Sequence, residues 1–217
     1  MPVLSGRSGD AQPAPTAFIL DDDPGVRAVL ARLINAARLR AEVFAAPDAL
    51  VHRLADDVAG CLVLDVRMPG LNGLDLYDAL VASKKGLPVV FLSAYLDVGL
   101  TVRAMRAGAI DVLRKPWHGP TLLDAVKRGF EADVRRRRSL EEERILQARF
   151  ESLTPRERDV MAQVVLGHVN KVIGHDLGMS EKTVKAHRGH LMRKLGARGV
   201  ADLVRIASRL QMTGDRR

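Results

Sequence analysis

Between Ala17 and Phe130 the chain alternates short, branched apolar runs with longer stretches of helical period, and nothing else in it restricts the fold as much. Strands buried on both faces read as continuous apolar runs, while the helices that cover them are apolar on one side only. Five such strands are expected, over 17–21, 41–45, 61–64, 88–92 and 110–113. After the first, Asp23 is placed to cap a helix and Pro24 to open it; Val26, Val29, Leu30, Leu33, Ile34 and Ala37 follow at helical spacing. Leu74, Tyr77, Leu80 and Val81 make a second apolar stripe, Val98, Val102 and Met105 a third, and Leu122, Leu123, Val126 and Phe130 a fourth. The segment 48–54 has no decisive period. Strands alternating with helices in this way build a parallel sheet covered by helices, an α/β fold.

Beyond Phe130 the pattern changes. Neither Gly nor Pro occurs again before Pro155, so 135–152 reads as a helical linker, and the run Arg135, Arg136, Arg137, Arg138 as a solvated helix face rather than a phosphate contact or a surface for a second chain. From Leu153 the period is purely helical. Thr154, Pro155 and Glu157 supply a cap, a first helical residue and an acidic first turn, and Gly167 ends that helix. A short helix over 170–177, a tight turn at Gly178, Met179 and Ser180, a longer helix over 181–195 and a last one over 200–210 follow. The expected organisation is a disordered tail over 1–16, an α/β domain over 17–134, the linker over 135–152 and a four-helix domain over 153–217.

Charge separates the two domains. Residues 1–134 carry 15 basic and 16 acidic side chains, whereas residues 153–217 carry 13 and 6, so the net charge of +8 is concentrated at the C-terminal end and makes that region the nucleic-acid candidate. The single cysteine, Cys61, excludes an intramolecular disulfide framework and fits a reducing compartment. The first 16 residues lack the apolar segment of a signal peptide, and no apolar run approaches the roughly 20 residues of a membrane helix. A soluble, cytoplasmic protein without membrane partners is expected.

In an open parallel sheet, chemistry gathers at the carboxyl ends of the strands. There the first strand delivers Asp21, Asp22 and Asp23, the third Asp65, the fourth Ser93, and just past the fifth lies Lys115. Clustered carboxylates repel one another unless a hard divalent cation neutralises them, and oxygen donors of this kind suit magnesium. A carboxylate at Asp65 can attack a phosphoryl group, Lys115 can pair with the product and Ser93 can donate a hydrogen bond.

Four segments carry these residues: Leu20-Asp21-Asp22-Asp23-Pro24, Leu64-Asp65-Val66-Arg67-Met68-Pro69-Gly70, Phe91-Leu92-Ser93-Ala94 and Lys115-Pro116. With them the region 17–134 resembles the receiver domain of two-component response regulators. The resemblance implies a flavodoxin-like five-stranded sheet of order 2-1-3-4-5 and an Mg2+ cofactor. It also implies Asp65 as phosphoacceptor and metal ligand, Asp22 as a direct ligand, Asp21 as a ligand through water, the backbone carbonyl of Arg67 as another ligand, Ser93 as the switch hydroxyl and Lys115 as the ammonium that senses phosphate. One departure stands out: receivers usually carry Tyr or Phe three residues before the lysine, where this chain has Val112. Valine has no ring to rotate, so coupling is expected to run through Ser93 and the loop holding Tyr95 and Leu96. Tyr95 itself reads as an exposed loop residue.

In the helix over 181–195, at 100° per residue, Arg188, Leu191 and Leu195 fall within about 40° of Val184, while Lys182, Ala186, Gly189 and Arg193 lie opposite, flanked by Lys185 and His190. A basic outer face behind a tight turn is what a helix-turn-helix offers the major groove. Leu153-Thr154-Pro155-Arg156-Glu157-Arg158, Gly167, Asn170-Lys171, Ile173, Leu177-Gly178-Met179-Ser180, Thr183-Val184-Lys185-Ala186-His187-Arg188 and Met192-Arg193-Lys194-Leu195 carry a second resemblance, to the LuxR-type helix-turn-helix of FixJ/NarL regulators. It implies base contacts at Lys185 and Ala186, with Lys182, Arg188 and Arg193 as phosphate candidates; Arg188 must snorkel from the apolar side. Two glycines depart from the pattern. Gly174 replaces a customary alanine, and Gly189 occupies a DNA-facing position that a longer side chain can use, so Gly189 is expected to loosen the helix and weaken discrimination there.

Together the resemblances imply a transcription regulator, not an enzyme except in assisting phosphorylation and dephosphorylation of its own aspartate. A sensor histidine kinase and double-stranded promoter DNA are the implied partners, with RNA polymerase as a further candidate. Phosphorylation is expected to drive a homodimer through Val98, Val102, Met105 and the residues after Asp111, with Val204 and Ala207 between DNA-bound domains. Rival readings are an aspartate-based phosphatase using the Asp21 and Asp23 pair, a ligand-sensing repressor on the same fold, and a regulator of this family that acts without phosphorylation.

Overall fold

A computed structural model of the chain describes residues 14–210. It contains two compact units, the first ending at Arg137 and the second starting at Arg138. The first unit runs β1 (Thr16–Leu20), α1 (Pro24–Ala36), β2 (Arg40–Phe44), α2 (Pro47–Arg53), β3 (Gly60–Asp65), the short strands β4 (Arg67–Met68) and β5 (Leu71–Asn72), α3 (Gly73–Ala82), β6 (Val89–Ser93), α4 (Val98–Arg106) and β7 (Asp111–Arg114). It closes with the first part of α5 (Gly119–Glu151), a continuous helix that extends through the expected linker.

Five parallel strands form one sheet in the order β2-β1-β3-β6-β7, which is the order 2-1-3-4-5 once the separate β4-β5 pair is set aside. Each expected strand is present with its ends displaced by at most a residue or so. Residues 48–54, which carry no clear period, lie mostly in α2, opened by Pro47. Of the tail expected over 1–16, residues 1–13 lie outside the described residues, and Thr16 already pairs in β1. Alternate strand residues feed two cores. Phe18, Leu62, Leu64 and Phe91 pack on one side, and Ala17, Ile19, Val63, Val90 and Leu92 on the other. This two-sided burial is why the strands read as unbroken apolar runs.

Not every apolar stripe turns inward. Val29 and Val81 are exposed, and on α4 all three stripe residues, Val98, Val102 and Met105, face solvent. Helix α4 buries Ala104 instead, with Leu100 partly covered. A helical period identifies a face without saying which face the sheet selects, and here a small residue allows close approach. The arginine run also departs from expectation. Arg135 and Arg138 are exposed, but Arg136 pairs with the buried Asp133 at 2.7 Å, and Arg137 donates to Asp57 at 2.7 Å and to the Val58 carbonyl at 2.9 Å. Asp133 in turn accepts the Gly60 N–H at 2.9 Å. These contacts fasten α5 to the segment leading into β3.

The second unit contains the end of α5 and α6 (Pro155–Val165), α7 (Asn170–Leu177), α8 (Glu181–Leu195) and α9 (Val200–Arg209), around a core that includes Leu153, Val160, Met161, Ile173, Val184, Leu191 and Leu203. Thr154 and Glu157 form a reciprocal capping box at the start of α6. Glu157 is buried, which alone would raise its pKa; Lys194, 2.7 Å away, and the Thr154 N–H reverse the effect and hold it below the usual carboxylate range. On α9, Val204 is partly exposed, but Ala207 lies in the core and is unavailable as an intermolecular contact. Among the described residues no helix is long and apolar enough to cross a membrane.

Candidate functional site

The register of the sheet brings the reactive residues together. Leu20 pairs with Leu64, Asp65 with Leu92 and Ser93 with Arg114, so the ends of β1, β3, β6 and β7 lie side by side. Asp21 follows β1 and is fully buried; Asp65 ends β3 and is almost so. Lys115 joins them, its Nζ donating to Asp21 Oδ2 and to Asp65 Oδ2, both at 2.7 Å. Asp21 Oδ1 also accepts the Asp23 N–H at 3.0 Å, and Asp65 Oδ1 the Arg67 N–H at 3.3 Å. Burial pushes the Asp21 pKa up, against the pull of Lys115. For Lys115 burial would lower the pKa, but the two carboxylates outweigh it and the ammonium titrates above its ordinary value.

Oxygen atoms of Asp21, Asp22 and Asp65 all lie within 4.8 Å of one another. Three carboxylates in so small a volume fit a hard cation such as Mg2+, and these are the residues that would hold it. Asp23 has another task. Its side chain accepts the N–H groups of Gly25 at 2.7 Å and Val26 at 3.2 Å and so caps α1. The pair Asp21 and Asp23 that a phosphatase would use is therefore split between pocket and helix cap.

Ser93 is buried, and its hydroxyl donates to the Tyr95 carbonyl at 2.7 Å while accepting the Tyr95 N–H at 3.2 Å. Tyr95 is exposed, as the sequence suggests, yet the Arg67 guanidinium lies 5.1 Å from its ring centre, joining the loops after β3 and β6. Val112 is buried in β7. Gly73, at the start of α3, lies so close to Asp65 that a Cβ would stand 2.1 Å from the Asp65 carbonyl oxygen.

In the second unit, Val184, Leu191 and Leu195 form the buried face of α8, whereas Lys182, Lys185, Ala186, Gly189 and Arg193 are exposed. Gly178, with φ 66°, turns the chain between α7 and α8, and Ser180 caps α8 through the Thr183 N–H. Arg188 is partly buried and donates to Asn170 Oδ1 at 2.5 Å.

Comparison with known proteins agrees with both halves. Residues 17–127 match the response regulator receiver domain, and residues 151–207 match the bacterial regulatory proteins of the LuxR family. The chain belongs to the response regulators. It is 38% identical to Nodulation protein W of Bradyrhizobium diazoefficiens over 97% of this chain and 93% of that one. The solved response regulator StyR is 41% identical, with a TM-score of 0.73, covering 90% of this chain and 98% of that one. Full-length FixJ from B. japonicum is 32% identical, with a TM-score of 0.55, covering 92% and 98%.

In this response regulator the expected pocket residues Asp21, Asp22, Asp65 and Lys115 come together; Ser93 stands one strand away, engaged with Tyr95. Sequence reasoning missed three contacts: the Arg67–Tyr95 stack, the Arg188–Asn170 bond, and Arg27, which reaches back to the acidic loop. Only their residue types were visible, because each partner lies in another element or turn.

The two unusual glycines separate physically. A Cβ on Gly189 meets nothing within 4 Å, whereas one on Gly174 would lie 2.6 Å from the Met179 carbonyl oxygen. Gly189→Ala is expected to stabilise the response regulator's C-terminal domain by about 0.5–1 kcal/mol, the helix-propensity difference, while Gly174→Ala forfeits that gain by pushing the turn open. Urea unfolding of both variants, followed by helical circular dichroism, checks the contrast; equal shifts would refute it.

Proposed function

We propose that this response regulator is a transcription factor switched by phosphorylation of Asp65, with a receiver over 17–134, a helical linker over 135–152 and a DNA-binding domain over 153–217. The observation that carries the reading is Lys115 bridging Asp21 and Asp65 at the strand ends, in a chain whose other domain presents the basic face of α8. An Asp65 carboxylate oxygen attacks the phosphorus of a kinase phosphohistidine; the new O–P bond replaces the N–P bond and the imidazole departs. Asp22, Asp65 and the Arg67 carbonyl would hold Mg2+ directly and Asp21 through water; when bound, the ion would offset negative charge on the carboxylates and phosphoryl oxygens. Lys115 moves its contact from the Asp65 oxygen to the phosphoryl group, and Ser93 exchanges the Tyr95 carbonyl for a phosphoryl oxygen. The chain acts on no separate substrate; it assists only the gain and loss of its own phosphate.

The exposed Val98, Val102 and Met105 on α4 support a homodimer formed on phosphorylation, in the cytoplasm. Two α8 helices then meet a two-fold related promoter site, with Lys185 and Ala186 towards bases and Lys182, Arg188 and Arg193 towards phosphates, and RNA polymerase as a further partner. Light-scattering mass with Mg2+ and beryllium fluoride, a mimic of aspartyl phosphate, tests the reading. The parent is expected to shift from monomer to dimer and Asp65→Asn to remain a monomer. A second reading, in which DNA binding needs no phosphate, is favoured by Val112, which supplies no aromatic ring to move; an unresponsive parent that binds its DNA unmodified would establish it.

A further inference from the structure

We propose that Arg27 is a positioning residue for the acidic site, clamping the backbone of the β1–α1 loop so that the Asp21 and Asp22 carboxylates are held ready for a cation. This rests on the reading of that site as an Mg2+ site. Arg27 lies in the first turn of α1 and is partly buried. Its Nη1 donates to two consecutive backbone carbonyls, Asp21 O at 2.6 Å and Asp22 O at 2.9 Å. One guanidinium nitrogen on two successive carbonyls fixes both peptide planes, and with them the directions in which the two side chains leave the chain. The other end of the loop is fixed too, by the Asp23 cap and by the Arg27 N–H, which donates to the Asp23 carbonyl at 3.1 Å.

Such a clamp has a physical purpose. Three carboxylates within 4.8 Å repel one another, and a free loop would relax by turning one of them away. Arg27 resists this through carbonyl oxygens and leaves the carboxylate oxygens available. A guanidinium paired directly with those carboxylates would instead compete with the metal. Its charge and its hydrogen bonds therefore act in opposite senses: a positive charge beside a cation site weakens Mg2+ binding, whereas a fixed loop strengthens it.

The opposition gives a test decided by sign. Trp117 is the chain's one tryptophan, lies two residues beyond Lys115 and lines the same groove as Asp23 and Lys115, so its fluorescence reports on the site. Mg2+ titrations of the full chain at constant ionic strength, with melting temperatures recorded alongside, compare the parent with Arg27→Gln and Arg27→Lys. Arg27→Gln is expected to raise the Mg2+ Kd about tenfold while melting close to the parent, as for other supports of metal ligands. Arg27→Lys, which keeps the charge but offers a single ammonium, is expected to fall between the two. Unchanged or tighter binding in Arg27→Gln overturns the proposal; should that variant not fold, parental affinity in Arg27→Lys overturns it. A parent that does not bind Mg2+ removes the metal site itself, and the role of Arg27 with it, whereas a parental response untouched by either substitution counts against Arg27 alone.

Discussion

Lys115→Met is expected to destabilise the receiver by about 3 kcal/mol at neutral pH without Mg2+, and Mg2+ is expected to restore most of that loss. Asp21 is fully buried, and in the parent its charge is compensated by Lys115 at 2.7 Å. Methionine keeps the apolar length of the side chain and removes the ammonium, leaving two carboxylates facing each other in a site that water reaches poorly. Burial already raises the Asp21 pKa, and loss of Lys115 drives it further up. A carboxyl group whose folded pKa is raised contributes stability that is present below its unfolded value and disappears as pH rises through the folded value. The deficit of the variant is therefore fullest at neutral pH and shrinks on acidification towards the carboxylate range. Mg2+ acts in the same direction as protons. In the variant it no longer competes with an ammonium for Asp21 and Asp65, so its stabilising effect exceeds that in the parent. Urea unfolding of the full chain, followed by Trp117 fluorescence at neutral and mildly acidic pH with and without Mg2+, measures each effect. A variant as stable as the parent at neutral pH without metal would show that the ion pair does not compensate the burial of Asp21.

Gly60→Ala is expected to cost the receiver roughly 4 kcal/mol, backbone strain and overpacking contributing comparable shares. Gly60 opens β3 with φ 144°, a conformation that side chains with a Cβ rarely adopt. A Cβ there would also stand 1.8 Å from the Thr16 carbonyl oxygen, its register partner in β1. The neighbours have little room to yield: the Thr16 N–H donates to the Ala59 carbonyl at 2.9 Å, and the Gly60 N–H is held by Asp133. Gly70→Ala is the control, because Gly70 also has a positive φ, 73°, but open space around its missing Cβ. Its expected cost is about 1 kcal/mol, from the left-handed backbone alone. Similar urea midpoints for the two variants would show that the β1–β3 junction can open without penalty.

Much of the site was legible in the residues because its members belong to sequence-local motifs. Asp21 and Asp22 follow an apolar strand, Asp65 ends another, and the sheet order brings those ends together by a rule of parallel topology. The outward face of α8 was legible for the same kind of reason: the period of 3.6 residues fixes which side chains share a side once the buried side is known. The exposure of Val98, Val102 and Met105 agrees with their expected place on a dimer surface, although their spacing alone would equally fit a core face; the helix turns Ala104 to the sheet instead. Where expectation failed, the missing information was the identity of the partner surface. Arg137 resembles its exposed neighbours Arg135 and Arg138, and only the approach of α5 to residues 57–58 distinguishes it; Arg136 instead pairs with Asp133 one turn back on α5 itself.

The amino-acid sequence by itself determined most element types, through period and capping, and the chemical identity of the acidic pocket, through motifs written along single stretches of chain; the strand order came only with the resemblance that those motifs carry. Tertiary structure alone decided which charges are compensated and which are free: that Lys115 spans Asp21 and Asp65, and that Arg27 holds carbonyls instead of carboxylates. The physical reason is that a hydrogen bond or ion pair depends on ångström-scale distance and direction, which spacing along the chain does not specify.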